Sequence, residues 1–210
     1  MKCFAKPFVL SAILSLALVL PCFGNGQWEL YNGRNGIKTY SRTRADSAYR
    51  ESKSSADIHA GIDRVAAILA DVPGFPQWMY NCTESPLLEQ PKENIRILYY
   101  LQHAPWPVSD RQAVIRAVTR VDPEKQIQVT DMQSLGDYPY RGAKSRVWMD
   151  DFSGQWRLEA LDEQLTRVTY TVYSEPGGGL SASLANPFIT SVTRDSLKGL
   201  MTMTKGDNDE

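Results

Sequence analysis

The sequence has few cysteines, and their positions leave no pair to form a disulfide bond in the mature chain. Cys3 and Cys22 lie in an N-terminal segment that we expect to be removed, so Cys82 remains alone. An exported domain without a disulfide must be held together by its own core. With 210 residues, 42% of them hydrophobic, the chain is long enough to bury such a core in one domain.

Residues that commonly bind metals or carry catalysis are also scarce. The two histidines, His59 and His103, are far apart and have no cysteine or histidine at metal-ligand spacing. A Gly-x-Ser-x-Gly elbow is missing, and the glycines at 177–179 lack the Gly-Lys-Ser/Thr of a phosphate loop. Asp150 and Asp151 would point to opposite faces of a strand, so we interpret them as a turn or bulge. We therefore predict no catalytic residue, no metal site and no cofactor.

The sequence lacks an excess of charge of either sign. Its formal net charge is -1. A nucleic-acid-binding surface or a strongly anionic membrane surface would call for a basic excess that this chain does not have. We therefore expect no nucleic-acid partner.

An apolar run long enough to span a bilayer comfortably is missing as well. Lys2 and Lys6 precede a short apolar run at 8–20, and small residues around Gly24 follow it. This order is typical of a secretory signal peptide. We predict that residues 1–24 form such a signal and that the chain is exported, to the periplasm or as a secreted protein.

Alternatives remain open for the N-terminal segment and for the lone thiol. The apolar run could be retained as a membrane anchor. Lipidation of Cys22 is disfavoured because Pro21 stands where lipoprotein processing needs a small residue. Asn81-Cys82-Thr83 fits an N-glycosylation acceptor, which matters only in a eukaryotic host.

Hydrophobic periodicity predicts one helix followed by a run of strands. In the segment 61–72, Ile62, Val65, Ala66 and Leu69 share one helical face. Short loops between the later strands imply antiparallel neighbours, which favours an α+β class over a parallel sheet. The predicted strands are 37–42, 48–58, 83–90, 95–103, 111–121, 126–133, 145–151, 154–161 and 166–173, with 48–58 as an edge strand and 28–31 as a short helical or capping segment.

A Pro-Trp-Pro stretch separates two of these strands. The prolines beside Trp106 cannot continue a central strand, so we expect a rigid, extended corner at 104–111. We predict that Trp106, as a buried ring, and Arg111 are needed for folding before they are needed for function. Asp110 and Arg111 have two interpretations: an ion pair or loop cap that fixes the corner, or, for Arg111, a polar anchor for a ligand.

An apolar stripe near the C-terminus predicts a long helix that covers the sheet. The glycines at 177–179 come before it and could act as a hinge. Because a proline removes a backbone donor, we expect a first turn at 181–185 and a kink or break at Pro187. The stripe consists of Leu184, Phe188, Ile189, Val192, Leu197, Leu200 and Met201.

The corner also carries a resemblance to a known family. Trp106, Pro107 and Arg111 are in register with the Trp-Pro-x-x-x-Arg-Asp segment of the START (StAR-related lipid transfer) domain, and Gln112 stands where that family usually has Asp. The chain therefore resembles an exported, bacterial-type START domain over about residues 28–204. Other positions that fit are Asp71, Trp78, Gly178, Gly179 and Asn186, whereas Ser181 replaces a usual Pro.

The resemblance implies a helix-grip fold of the START/Bet v 1-like kind, in which a curved antiparallel sheet grips the C-terminal helix. It also implies a lipid-binding domain at 25–204, followed by a polar tail at 205–210 that we expect to be disordered. Strand alternation and the helix stripe supply the residues that could line a cavity. These candidates are Arg111, Ala113, Ala117, Trp156, Leu158, Ala160, Val168, Tyr170, Val172, Leu184, Phe188, Ile189 and Val192.

Three functions fit these observations. The first is non-enzymatic binding, and transfer, of a lipid or another hydrophobic small molecule, with transient membrane contact. The second is an enzyme with the same fold, because helix-grip cavities also host cyclases. The third is a protein-interaction module whose cavity has collapsed. Turnover of a bound ligand would separate the first two, and a filled interior would favour the third.

Overall fold

The structure is a computed structural model that describes residues 26–140 and 142–205. Most of it is an antiparallel sheet of eleven strands. The strands are β1 (Glu29–Arg34), β2 (Ile37–Arg44), β3 (Ser47–Ile58), β4 (Cys82–Glu84), β5 (Leu87–Lys92), β6 (Ile95–Gln102), β7 (Arg111–Asp122), β8 (Ile127–Ser134), β9 (Val147–Trp148), β10 (Asp151–Asp162) and β11 (Leu165–Glu175). The helices are α1 (Ile62–Ala70) and α2 (Ala182–Lys205), and a 3-10 turn covers Val72–Gln77.

The sheet has the strand order β1-β2-β3-β11-β10-β8-β7-β6-β4. The short β5 also pairs with β6, and β9 pairs in parallel with β7. The sheet is curved, and α2 crosses its inner face, so the predicted α+β class and helix-grip arrangement are confirmed. The predicted signal at 1–24 lies outside the described residues. Of the predicted tail, Lys205 is the last residue of α2, and 206–210 also lie outside.

Two predictions at the start of the sheet are wrong. Residues 28–31 are not helical, because β1 pairs there with β2. The strand at 48–58 is not an edge either, since β3 lies between β2 and β11. Its polar face fits inside the protein because Ser52 and Ser54 both hydrogen-bond the Thr193 hydroxyl of α2, at 2.8 and 2.9 Å. Buried hydroxyls are tolerated when they are bonded in this way.

The first helix forms as predicted and buries Val65 and Ile68. Pro73 lies in the first turn of the 3-10 segment Val72–Gln77, which places aromatic side chains under the sheet. The rings of Phe75 and Trp78 meet edge to face with centroids 5.4 Å apart. Both rings are buried in the main core cluster.

Two other predicted strands are shorter or divided. The segment 83–90 forms β4 and β5, separated by Ser85 and Pro86, because proline cannot donate to the ladder. The segment 145–151 contributes only the two-residue β9 and the first residue of β10. The loop before β9 lies over the outer face of β6 and β7. There Tyr140 stacks on Tyr99 with centroids 4.6 Å apart.

The C-terminal helix is continuous, so the predicted break at Pro187 is wrong. Pro187 lies close to the N-terminal end of α2, where few intrahelical hydrogen bonds are lost. Beyond it, the Thr190 hydroxyl donates to the Pro187 carbonyl at 2.7 Å. The glycines at 177–179 all have positive φ values of 61 to 70°, which glycine adopts without strain. They reverse the chain between β11 and α2.

Candidate functional site

A cavity of about 360 Å³ lies between the sheet and the N-terminal part of α2. Its walls come from the ends of β6, β7, β10 and β11, from the loop between β6 and β7, and from α2. The lining is mostly apolar, as in typical sites for small hydrophobic ligands. Its volume is at the lower end of the range of about 300 to 1,000 Å³ for such sites.

The cavity brings together only part of the predicted set. The predicted residues that line it are Arg111, Tyr170, Val172, Leu184, Phe188, Ile189 and Val192. Of the others, Ala113, Leu158 and Val168 are buried in the core. Ala117 and Trp156 line a groove beside α1, and Ala160 borders a depression near the start of α1.

Strand direction explains this division. Phe152 pairs with Ser174, and both line the cavity. Further along the same two strands, Leu158 pairs with Val168, which places this pair nearer α1. Alternation assigns a residue to a face of the sheet, but it does not say which end of that face stays unfilled.

Sequence reasoning also missed cavity residues on β6. Leu98, Tyr100 and Gln102 line the cavity. Alternation along the strand places Ile95, Ile97, Tyr99 and Leu101 on the opposite face, which is the face that sequence reasoning takes as the apolar one. Ile97 and Tyr99 belong instead to a second cluster, beneath the loop on the outer face of the sheet. An apolar run that is nearly continuous is the signal for a strand buried on both faces.

The Pro-Trp-Pro corner lies at the mouth of the cavity, and the prediction of a buried Trp106 is wrong. Trp106 is 92% exposed, and Leu184 on α2 is 65% exposed. Both residues also contribute to the cavity lining. The mouth therefore presents two large apolar side chains to solvent, from two different elements.

The corner is held by hydrogen bonds of Asp110, and not by packing of the Trp106 ring. The Asp110 Oδ1 accepts a hydrogen bond from the Ala104 N–H at 3.0 Å and lies 3.0 Å from the His103 Nδ1. The predicted loop cap is therefore confirmed. An ion pair between Asp110 and Arg111 does not occur in the part of the chain that the structure describes.

Arg111 is a buried cation in an apolar wall. It is 6% exposed, and its Nε donates to the Pro176 carbonyl at 3.2 Å, while Nη1 donates to the Ser109 carbonyl. Burial lowers the pKa of Arg111, an effect that the nearby Asp110 charge opposes. Within 26–140 and 142–205, no carboxylate forms an ion pair with Arg111. Its hydrogen-bond partners among the described residues are backbone carbonyls.

The remaining polar groups of the cavity are neutral. Burial raises the pKa of Tyr100 and of Tyr170, so both hydroxyls stay protonated. Gln102 Nε2 donates to the Tyr100 hydroxyl at 3.4 Å.

Outside the cavity, burial raises the pKa of the Cys82 thiol to about 12, which makes it a poor nucleophile. Among the described residues, no group of histidine, cysteine or acidic side chains could hold a metal ion.

Known proteins match nearly the full length of the chain. It is 30% identical over 197 residues to an uncharacterized protein of Pseudomonas aeruginosa, a match that covers 91% of this chain and 95% of that one. A STAR-related lipid transfer protein from Xanthomonas axonopodis has a TM-score of 0.78 at 29% identity, covering 85% of this chain and 98% of that chain.

Human STARD10 has a TM-score of 0.76 at 15% identity, covering 86% of this chain and 74% of that chain, which shows a likeness of fold alone. Residues 58–201 match the family described as polyketide cyclase / dehydrase and lipid transport. That match covers more than half of the chain and agrees with the START resemblance of the Trp106 corner. The chain therefore belongs to the polyketide cyclase / dehydrase and lipid transport family, and its predicted START relationship is confirmed.

Proposed function

We propose that this protein binds a lipid or a similar hydrophobic molecule in the cavity without converting it, and that it transfers this ligand. The observation that carries the proposal is an apolar cavity with a buried cation in its wall, Arg111, which forms no ion pair with a carboxylate of the described residues. Apolar surface removed from water contributes roughly 25 cal/mol per Å², so an aliphatic chain is favoured there over a sugar or nucleotide.

Arg111 gives the bound molecule a direction. Its guanidinium can donate a hydrogen bond to a carboxylate, phosphate or hydroxyl oxygen, and charged donors make the stronger hydrogen bonds. Phe188, Ile189 and Val192 line the same cavity from α2 and would contact the apolar chain. An amphiphile with its polar head at Arg111 fits this distribution of polar and apolar groups.

The exposed mouth supports transient contact with a membrane. Tryptophan is enriched at membrane interfaces, where its ring lies at the level of the lipid head groups. Trp106 and Leu184 flank the cavity, so a ligand could pass between bilayer and cavity without crossing bulk water. The glycines at 177–179 end two residues before α2 begins, and a small rotation there would widen the mouth.

The proposal includes export of the protein from the cytoplasm. The signal pattern at 1–24 would place the protein in the periplasm or outside the cell, where hydrophobic molecules need a carrier between membranes. Mass analysis of the mature protein checks this point: we expect its N-terminus near residues 24–26. An intact Met1 on membrane-bound protein would contradict export with cleavage.

The central experiment fills the cavity and measures co-purifying lipid by native mass spectrometry. Ala185 is buried and lines the cavity, so Ala185→Phe should abolish the lipid-bound species while the protein still melts cooperatively. Ala160→Phe is the matched control, because Ala160 lies outside the cavity, and it should retain lipid.

Two results would overturn the proposal. Undiminished lipid in Ala185→Phe would place the ligand elsewhere and favour a protein-interaction module. Conversion of the bound molecule to a product would favour an enzyme, which the family's description of cyclases and dehydrases makes the second candidate.

A further inference from the structure

A second hollow adjoins the cavity on the side of α1. It is a groove of about 860 Å³ between α1 and strands β7 and β8. Phe75, Leu98 and Met132 line both the groove and the cavity, so these three side chains form the partition between them. The two spaces are therefore adjacent compartments under one sheet.

The partition contains a side chain that can move. Met132 is only partly buried, and methionine adapts readily because its side chain is unbranched. It pairs across the sheet with Gly154, and a Cβ at that position would lie 2.8 Å from the Met132 methyl group. The glycine thus leaves the space in which the methionine lies. A change of rotamer at Met132 would join the two compartments.

Trp156 lies two residues beyond Gly154 and lines the groove, not the cavity. It is 2% exposed. Its buried Nε1 has no hydrogen-bond partner within the described part of the chain. Tyr170 stacks on one face of the indole at 3.8 Å, and Trp78 approaches it at 6.0 Å. Because Trp156 lines the groove, a ligand in the groove would lie beside this indole.

The walls of the groove limit what that ligand can be. Small and apolar side chains, including Ala66, Leu69 and Ala117, line its inner part. Charged side chains of both signs, Glu93 and Arg96 among them, lie at its rim. A buried N–H that has no partner disfavours the empty state, and it favours a ligand that carries an oxygen in an apolar surrounding.

We infer that the groove is a second compartment of the ligand site, in which Trp156 Nε1 donates a hydrogen bond to an oxygen at the far end of a long amphiphile. The inference rests on the proposed function, which places the polar head at Arg111. The chain of the amphiphile passes the Met132 partition, and its terminal hydroxyl or carbonyl oxygen lies at Trp156. This contact makes Trp156 a specificity-determining residue for oxygen-terminated chains.

The test compares fatty acids from laurate to arachidate with their ω-hydroxylated counterparts by titration calorimetry. For the members long enough to reach the groove, the hydroxylated form should bind about threefold to tenfold more tightly, the value of one buried hydrogen bond. Trp156→Phe keeps an aromatic ring without the donor, so it should remove this preference. Ala117→Phe should weaken the long members and leave laurate unchanged.

A measurement on the unmodified protein keeps the test decisive if Trp156→Phe does not fold. The indole N–H resonance of Trp156 should move downfield with the long ω-hydroxylated acids and not with the plain acids. Equal affinity of both forms throughout the series, a preference that survives Trp156→Phe, or an unmoved indole resonance would overturn the inference. If laurate still binds and Ala185→Phe abolishes its binding, only this inference fails; if none of the acids binds, the proposed function fails with it.

Discussion

The two ends of α2 are packed very differently. At the C-terminal end, Leu197 and Leu200 are fully buried, and Gly199 lies so close to the Trp78 backbone that a Cβ would come within 2.0 Å of the Trp78 carbonyl oxygen. At the N-terminal end, Leu184 is exposed and the helix borders the cavity. One amphipathic helix thus anchors the fold at one end and forms a wall of the cavity at the other.

The difference indicates how a small domain combines stability with an unfilled interior. Close packing at one end holds α2 on the sheet, which allows the other end to leave space for a ligand. Ser196 adds a polar contact at the packed end, since its hydroxyl accepts the Tyr80 N–H at 3.2 Å. Mutations at the two ends should therefore have separable effects on stability and binding.

The largest effect is expected from Leu200 at the packed end of α2, and Leu184 at the other end is its contrast. Leu200→Ala should lower the free energy of unfolding by about 2 to 5 kcal/mol, because it leaves a cavity at a site with 0% exposure. Leu184→Ala should change it by less than about 0.5 kcal/mol, since that side chain faces solvent. Urea denaturation of both variants checks the prediction. Equal losses would show that the two ends are not packed differently.

A smaller effect on stability is expected when the pH is raised, through Cys82. This residue follows Trp78, which contacts Gly199 at the packed end of α2. Burial raises the pKa of its thiol from about 9 to about 12. A group whose pKa is raised by folding contributes stability below its unfolded pKa and loses it as the pH rises. Between about pH 8 and pH 10, the wild type should lose about 1 kcal/mol of unfolding free energy relative to Cys82→Ala.

Parallel urea titrations of the two proteins measure that difference. The comparison with Cys82→Ala removes the contribution of the tyrosines and lysines, which titrate in both. A difference that stays constant with pH would mean that the thiol ionises as easily in the folded protein as in the unfolded chain.

The smallest effect on stability is expected at the cavity mouth. Trp106→Ala should change the free energy of unfolding by less than about 0.5 kcal/mol, because the ring is exposed. It should reduce binding to phospholipid vesicles, measured by co-sedimentation. Trp78→Ala is the contrasting control, since that ring is buried and its loss should destabilise by about 3 to 5 kcal/mol. Strong destabilisation by Trp106→Ala would contradict this prediction and show that the corner is needed for folding.

Much of the fold was predictable because local patterns agree with the tertiary arrangement. Alternation located the long strands, and the stripe through Ile189 and Leu197 located the helix that covers them. Predictions failed where neighbours supply what the segment lacks: the polar β3 becomes central because Thr193 satisfies its serines. The site was only partly predictable, since alternation gives the face of a residue but not its distance along the sheet.

The sequence by itself determined the fold class, the family and the inward face of most strands, because periodicity and the Trp106 corner are local properties. Only the tertiary structure decided that Trp106 is exposed while Arg111 is buried, since burial depends on what packs above a residue. It also decided where space remains under α2. That space depends on close contacts between distant residues, such as Gly199 and Trp78, which local patterns do not encode.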